Sequence, residues 1–223
     1  MNISAFDVIG PAMIGPSSSH TAGAVRIGLI SRALAGGHVA DADIIFHGSF
    51  AATGKGHATD RGIVAGLLGL APDDERLKES LALAAQQGVA VRFSTEDLGE
   101  DFHPNTVRVL VHNAKEPERR ITASSVGGGM IRVVRIDRFA TDFSGELPTL
   151  VLWHYDSPGF LAKITTLLAC VEANIASIHT ARRARGNDAL TVIEVDAPLP
   201  AAVINVVKLV RNVARVVQLP RFL

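Results

Sequence analysis

Residues 150–180, LVLWHYDSPGFLAKITTLLACVEANIASIHT, decide how the last third of the chain folds. The apolar, β-branched run at 150–154 reads as a strand. Asp156-Ser157-Pro158-Gly159 then signals a helix start, with proline near the first turn. Phe160, Ile164, Leu167, Leu168 and Val171 recur at helical spacing to about residue 173, and Asn174 is the stop. Cys170, between Ala169 and Val171 on this apolar helix, is expected in the packed core and not as a nucleophile. Alternation over 175–183 predicts a strand with one polar side, Arg185-Gly186-Asn187-Asp188 a turn, and 190–195 the hairpin partner. Beyond Pro198 and Pro200, residues Val203, Val206, Val207 and Val210 mark the face of a second helix, and 213–219 closes as a strand. The order is βαββαβ, the split ferredoxin-like arrangement.

Upstream the chain is less regular and richer in glycine clusters. Helices are expected at about 21–35, 58–70 and 75–87, with strands at 43–47, 89–93, 106–112, 119–124 and 130–136, an α/β domain ending near Phe139. Residues 141–148, with Asp142, Ser144, Gly145, Glu146 and Pro148, have the composition of a linker. The expected fold class is therefore α+β, an α/β domain at 1–140 followed by a ferredoxin-like domain at 148–223.

Composition narrows the partners. Of 223 residues 48% are hydrophobic, enough for a core, and 22 Lys+Arg balance 22 Asp+Glu. Scattered bases and no net charge give no footprint for nucleic acid. Residues 1–15 lack a basic start, contain Asp7 and are broken by Pro11, so they read as neither a signal nor a transit peptide. With no uninterrupted run of about 18 apolar residues, a cytoplasmic, non-membrane protein is expected. The single cysteine excludes an internal disulfide and any multi-cysteine cluster held by one copy of this chain.

Four clusters carry chemistry. Gly15-Pro16-Ser17-Ser18-Ser19-His20-Thr21 stands before a helix, where hydroxyls, an imidazole and free N–H groups suit a carboxylate or phosphate. A helix cap needs only one of those hydroxyls. In residues 47–60, HGSFAATGKGHATD, five residues separate Gly48 from Gly54 and Gly56 follows the lysine, so a nucleotide P-loop is excluded. What remains is a flexible loop presenting Thr53, Lys55 and His57, or a glycine turn capped by Thr59 or Asp60. His103-Pro104-Asn105-Thr106 opens a strand. Ser124-Ser125-Val126-Gly127-Gly128-Gly129 joins two strands, its glycines permitting positive φ and close backbone approach to a ligand. His20, His47, His57 and His103 lack the close helical spacing of zinc hydrolases, so no metal site is expected within this chain.

With these blocks in this order, residues 1–137 resemble the β subunit of the iron–sulfur-dependent L-serine dehydratases (L-serine ammonia-lyases), and the βαββαβ unit resembles an ACT domain. The resemblance implies a lyase of amino-acid degradation and gluconeogenesis that eliminates water from L-serine to give pyruvate and ammonia. It also implies a [4Fe-4S] cluster held by a partner α chain. By the family pattern His20, Lys55 and His57 are the catalytic candidates, and Ser17, Ser18, Ser19, Thr21, Thr53, Asn105, Gly127 and Gly128 the substrate-binding ones. Asp156, Ser157 and Gly159 would hold an amino-acid effector on the ACT unit. Such a unit leaves a sheet face or edge uncovered, so a homodimer is expected, through Val192, Ile193 and Val195 or side by side through the helices. The alternative is a stand-alone amino-acid sensor whose clusters form only an anion pocket. A Ser19–His57 hydrolase is disfavoured, since no carboxylate or G-x-S-x-G elbow accompanies the pair.

Overall fold

A computed structural model describes residues 12–54, 56–113 and 115–222. Asp7, Pro11 and Lys55 lie outside the described residues. The chain forms two compact units, Met1–Asp137 and Arg138–Leu223.

In the first unit, β1 (Asp41–Phe46) alternates half-buried with buried residues, so Ala42, Ile44 and Phe46 line one face. It is flanked by β2 (Ala90–Thr95), parallel to it, and β3 (Thr106–Asn113), antiparallel. The antiparallel strands β4 (Glu116–Gly127) and β5 (Met130–Ile136) continue the order β2-β1-β3-β4-β5. A π-helical turn, Ser18–Ala22, leads into α1 (Gly23–Leu34). Next come α2 (Gly48–Thr53), α3 (Thr59–Leu68), a 3-10 turn at Glu75–Glu79 and α4 (Ser80–Gln86).

Helices α1 and α3 meet backbone to backbone. A Cβ at Gly66 would stand 2.1 Å from the Val25 carbonyl and 2.8 Å from the Gly28 Cα, so no side chain fits between the two helices. Among the expected elements α2 is new: residues 48–53, read as flexible loop, are helical. Buried Phe50 anchors that turn, and the Pro104 carbonyl accepts the Ser49 N–H at 2.8 Å. Gly48 sits at φ +53, with Pro104 so close that a Cβ would lie 2.6 Å from its carbonyl oxygen.

The second unit opens with β6 (Phe139–Phe143), so the expected linker at 141–148 begins inside a strand. It continues as β7 (Thr149–Tyr155), α5 (Phe160–Ala169), β8 (Ile175–Arg182), β9 (Asp188–Val195), α6 (Ala201–Leu209) and β10 (Val213–Leu219). These four closing strands form an antiparallel sheet in the order β10-β7-β9-β8, the ferredoxin-like topology. Leu150, Leu152 and Ile193 pack with Phe160, Ile164 and Val207 of the helices in one core. Two expectations are corrected here. Val192, Ile193 and Val195 are at most 2% exposed on a central strand, so they offer no edge to a second copy; the sheet's edges are β8 and β10. Cys170 is exposed because it lies two residues beyond Leu168, on the side of α5 opposite the buried stripe Phe160, Ile164 and Leu168. Among the described residues no helix is long and apolar enough to cross a membrane.

Candidate functional site

His20 gathers the first two clusters. Ser17 accepts the His20 backbone N–H at 3.2 Å and opens the π-helical turn. Its Nδ1 faces Ser19 Oγ at 3.1 Å and Ser17 Oγ at 3.4 Å, and the two hydroxyls are 3.3 Å apart. On the opposite side Nε2 faces Thr53 Oγ1 at 3.2 Å and Ser49 Oγ at 3.4 Å, both on α2. The Phe50 ring meets the imidazole edge-on at 5.2 Å, and the His57 ring stands 4.8 Å away. Burial, and then the neighbouring His57, hold the His20 pKa below its ordinary value. His20 is thus a neutral imidazole near pH 7, with hydroxyls at both nitrogens, able to take up or pass on a proton.

The remaining candidates divide by what they touch. Thr21 is fully buried and donates to the His57 carbonyl at 2.9 Å, tying the two loops together. Ser18 is half-buried in the same turn. Asn105 lies one layer back: its N–H donates to His103 Nδ1, its carbonyl accepts from Ser125 N–H, and the adjoining Pro104 supports α2. Gly127 and Gly128 take positive φ in the β4–β5 turn, whose next carbonyl, that of Gly129, accepts from the buried Arg26. The described contacts do not bring those two glycines to the His20 ring. His47 accepts the Leu98 N–H at 3.1 Å, a loop-holding role. In the second unit Asp156 accepts from the Gly186 N–H at 3.1 Å and from Arg182 at 2.8 Å, which in that order hold its carboxyl below the usual range. Ser157 accepts from Asn212 at 3.0 Å, and Gly159 caps α5 at φ +75.

Ser49 and Phe50 escape the sequence reading. The signal was the Ser49/Thr53 spacing of four, which counts only once 48–53 is a helix. Among the described residues no group of three or more His, Cys, Asp or Glu is placed to hold a metal ion. One cysteine, exposed and in the second unit, does not fit the thiolate set of an iron–sulfur cluster.

The site is thus a half-buried imidazole ringed by hydroxyls from two segments, on an α/β unit followed by a ferredoxin-like one. The chain belongs to the serine dehydratase beta chain family, whose pattern matches residues 4–135. It is 40% identical to the L-serine dehydratase beta chain of Peptoniphilus asaccharolyticus over 88% of each chain. With the probable L-serine dehydratase beta chain of Bacillus subtilis it shares 38% over 97% of each. A longer L-serine dehydratase of Escherichia coli is 34% identical over 73% of this chain but only 39% of its own length.

Proposed function

We propose that this chain is the β subunit of a two-chain, iron–sulfur-dependent L-serine dehydratase of the cytoplasm, eliminating water from L-serine to yield pyruvate and ammonia. The observation that carries this reading is near full-length similarity to chains named for that activity, with the family's serine–histidine block folded around one neutral imidazole. The E. coli relative is more than twice as long as the region matched here, which supports a separate α chain as the source of the rest, the [4Fe-4S] cluster included. No step is assigned to that cluster on this chain, whose donor set does not fit it.

What this chain's residues do follows from their placement. Ser17, Ser18 and Ser19 line the pocket that takes the substrate carboxylate at the helix start. His20, backed by His57, takes up and returns a proton during the elimination. Thr53 holds the His20 ring in place from α2, and Lys55 adds a cation in the sequence between Thr53 and His57. The ferredoxin-like part of the second unit, from about residue 148, serves as an ACT module. It binds an amino acid at Asp156, Ser157 and Gly159 and pairs with a second copy through a sheet edge or its helices.

Anaerobic co-expression with a cysteine-bearing α chain tests the reading, assaying pyruvate release from L-serine for wild type and His20→Ala. The expected result is activity in the pair, lost in the variant while cluster absorbance survives. No activity in an intact, cluster-loaded pair would overturn it in favour of an amino-acid-sensing protein.

A further inference from the structure

We infer that Thr53 is a positioning residue that holds the two histidines of the site in opposite tautomers, its side chain fixing His20 as Nε2–H and its backbone carbonyl fixing His57 as Nδ1–H. A neutral imidazole donates from one nitrogen and accepts at the other, and its neighbours decide which. Thr53 Oγ1 lies 2.8 Å from the Ser49 carbonyl, four residues back in α2. A carbonyl only accepts, so the one hydroxyl proton is committed there. Toward His20 Nε2, at 3.2 Å, the same oxygen has only lone pairs to offer, so this contact is a hydrogen bond only when Nε2 carries the hydrogen, and the Ser49 hydroxyl, farther off at 3.4 Å, is then a second acceptor at that nitrogen.

The bare nitrogen is then Nδ1, which accepts from Ser19 at 3.1 Å. Ser17, already accepting the His20 backbone N–H, has its own proton available for Ser19 Oγ at 3.3 Å. One direction runs through the ring: Ser17 to Ser19 to Nδ1, then Nε2–H to Thr53 to the Ser49 carbonyl. His57 reads the other way, because its Nδ1 faces the Thr53 carbonyl at 3.1 Å and can only donate to it. Its Nε2 is left as an acceptor, beside a ring whose accepting nitrogen is Nδ1. Two imidazoles 4.8 Å apart thus offer one basic nitrogen each, of different kinds, and both choices trace to one threonine.

The kinetic arm of the test rests on the dehydratase reading; the spectroscopic arm does not. Nitrogen-15 histidine spectra of the full chain, assigned with His20→Gln and His57→Gln, report each tautomer directly. The expected wild-type result is His20 as Nε2–H and His57 as Nδ1–H. Thr53→Val removes the hydroxyl but keeps the carbonyl, so His20 should lose its single tautomer while His57 keeps its own, and Thr53→Ser should restore both. His20 found as Nδ1–H, or unmoved by Thr53→Val, overturns the inference, as does a Thr53→Val variant that disturbs both rings alike. In the enzyme assembled with its α chain, Thr53→Val should lower kcat by roughly a hundredfold, the lower end of what positioned proton transfer contributes, with KM little changed and Thr53→Ser near wild type. An unchanged kcat despite a lost tautomer overturns the positioning role. Absence of pyruvate from the wild-type assembly strikes the dehydratase reading instead, leaving the tautomers to the spectra.

Discussion

His20 and His154 are both imidazoles whose pKa burial depresses, one in each unit, yet their surroundings differ in kind. His154 is 4% exposed, stacks on Phe160 with ring centroids 3.7 Å apart, and has each nitrogen closed by one fixed partner, the Tyr155 carbonyl at 3.1 Å and the Thr191 hydroxyl at 2.9 Å. His20 is half-buried among rotatable hydroxyls at 3.1–3.4 Å, with a second imidazole beside it. Burial alone therefore does not mark a reactive histidine. The mark is a depressed pKa among partners that can rearrange around a proton, and that contrast can be broken by experiment.

The largest expected effect is on activity. His20→Ala should lower kcat of the assembled dehydratase by about a hundredfold or more while leaving the melting temperature of the chain close to wild type. The paired expectation is that His154→Ala costs about 2–3 kcal/mol of stability, as truncation of a buried, stacked ring does, and leaves kcat per folded molecule unchanged. Denaturant titration beside the activity assay checks both, and a swap of the two phenotypes would end the comparison.

A pH series sharpens it further. Unfolded His154 titrates near 6.5 while burial holds the folded value lower, so between the two the unfolded chain carries the extra proton. The neutral ring's contribution is fully present above pH 6.5 and is lost as pH falls through that value toward the folded pKa. Wild type should lose stability on acidification over this range, and His154→Gln should lose less. The smallest effect is expected at Thr180→Val, which removes the 3.0 Å hydroxyl bond behind Thr191 and should cost about 0.5 kcal/mol.

Much of this was legible in the sequence, for reasons that also explain the gaps. Strands such as β1 and β8 announce themselves because a sheet face repeats every second residue, and the βαββαβ order followed from 150–219 without error in element type. Helix α2 did not, because six residues with a single apolar anchor, Phe50, generate no 3.6-residue period. That omission hid Ser49, whose relation to Thr53 exists only on a helix. Cys170 was misplaced because apolar neighbours in sequence, Ala169 and Val171, say nothing of which side of the helix a residue takes, and only Phe160, Ile164 and Leu168 face the core. His20 was legible for the opposite reason: three serines and a threonine crowd around it in the sequence itself, so no tertiary information was needed to find the block.

The glycine crossing of α1 and α3 bears on how faithfully the site tolerates change elsewhere. His20 belongs to the turn that runs into α1, and His57 lies two residues before α3 begins, so the separation of the two rings is inherited from the separation of the two helices. Most helix pairs keep their distance through interlocking side chains, and every core substitution then shifts the helices a little. Here main chain bears directly on main chain, a stop with no adjustable spacer in it. A side chain at Gly66 would therefore push α1 and α3 apart and, with them, the turns that carry His20 and His57.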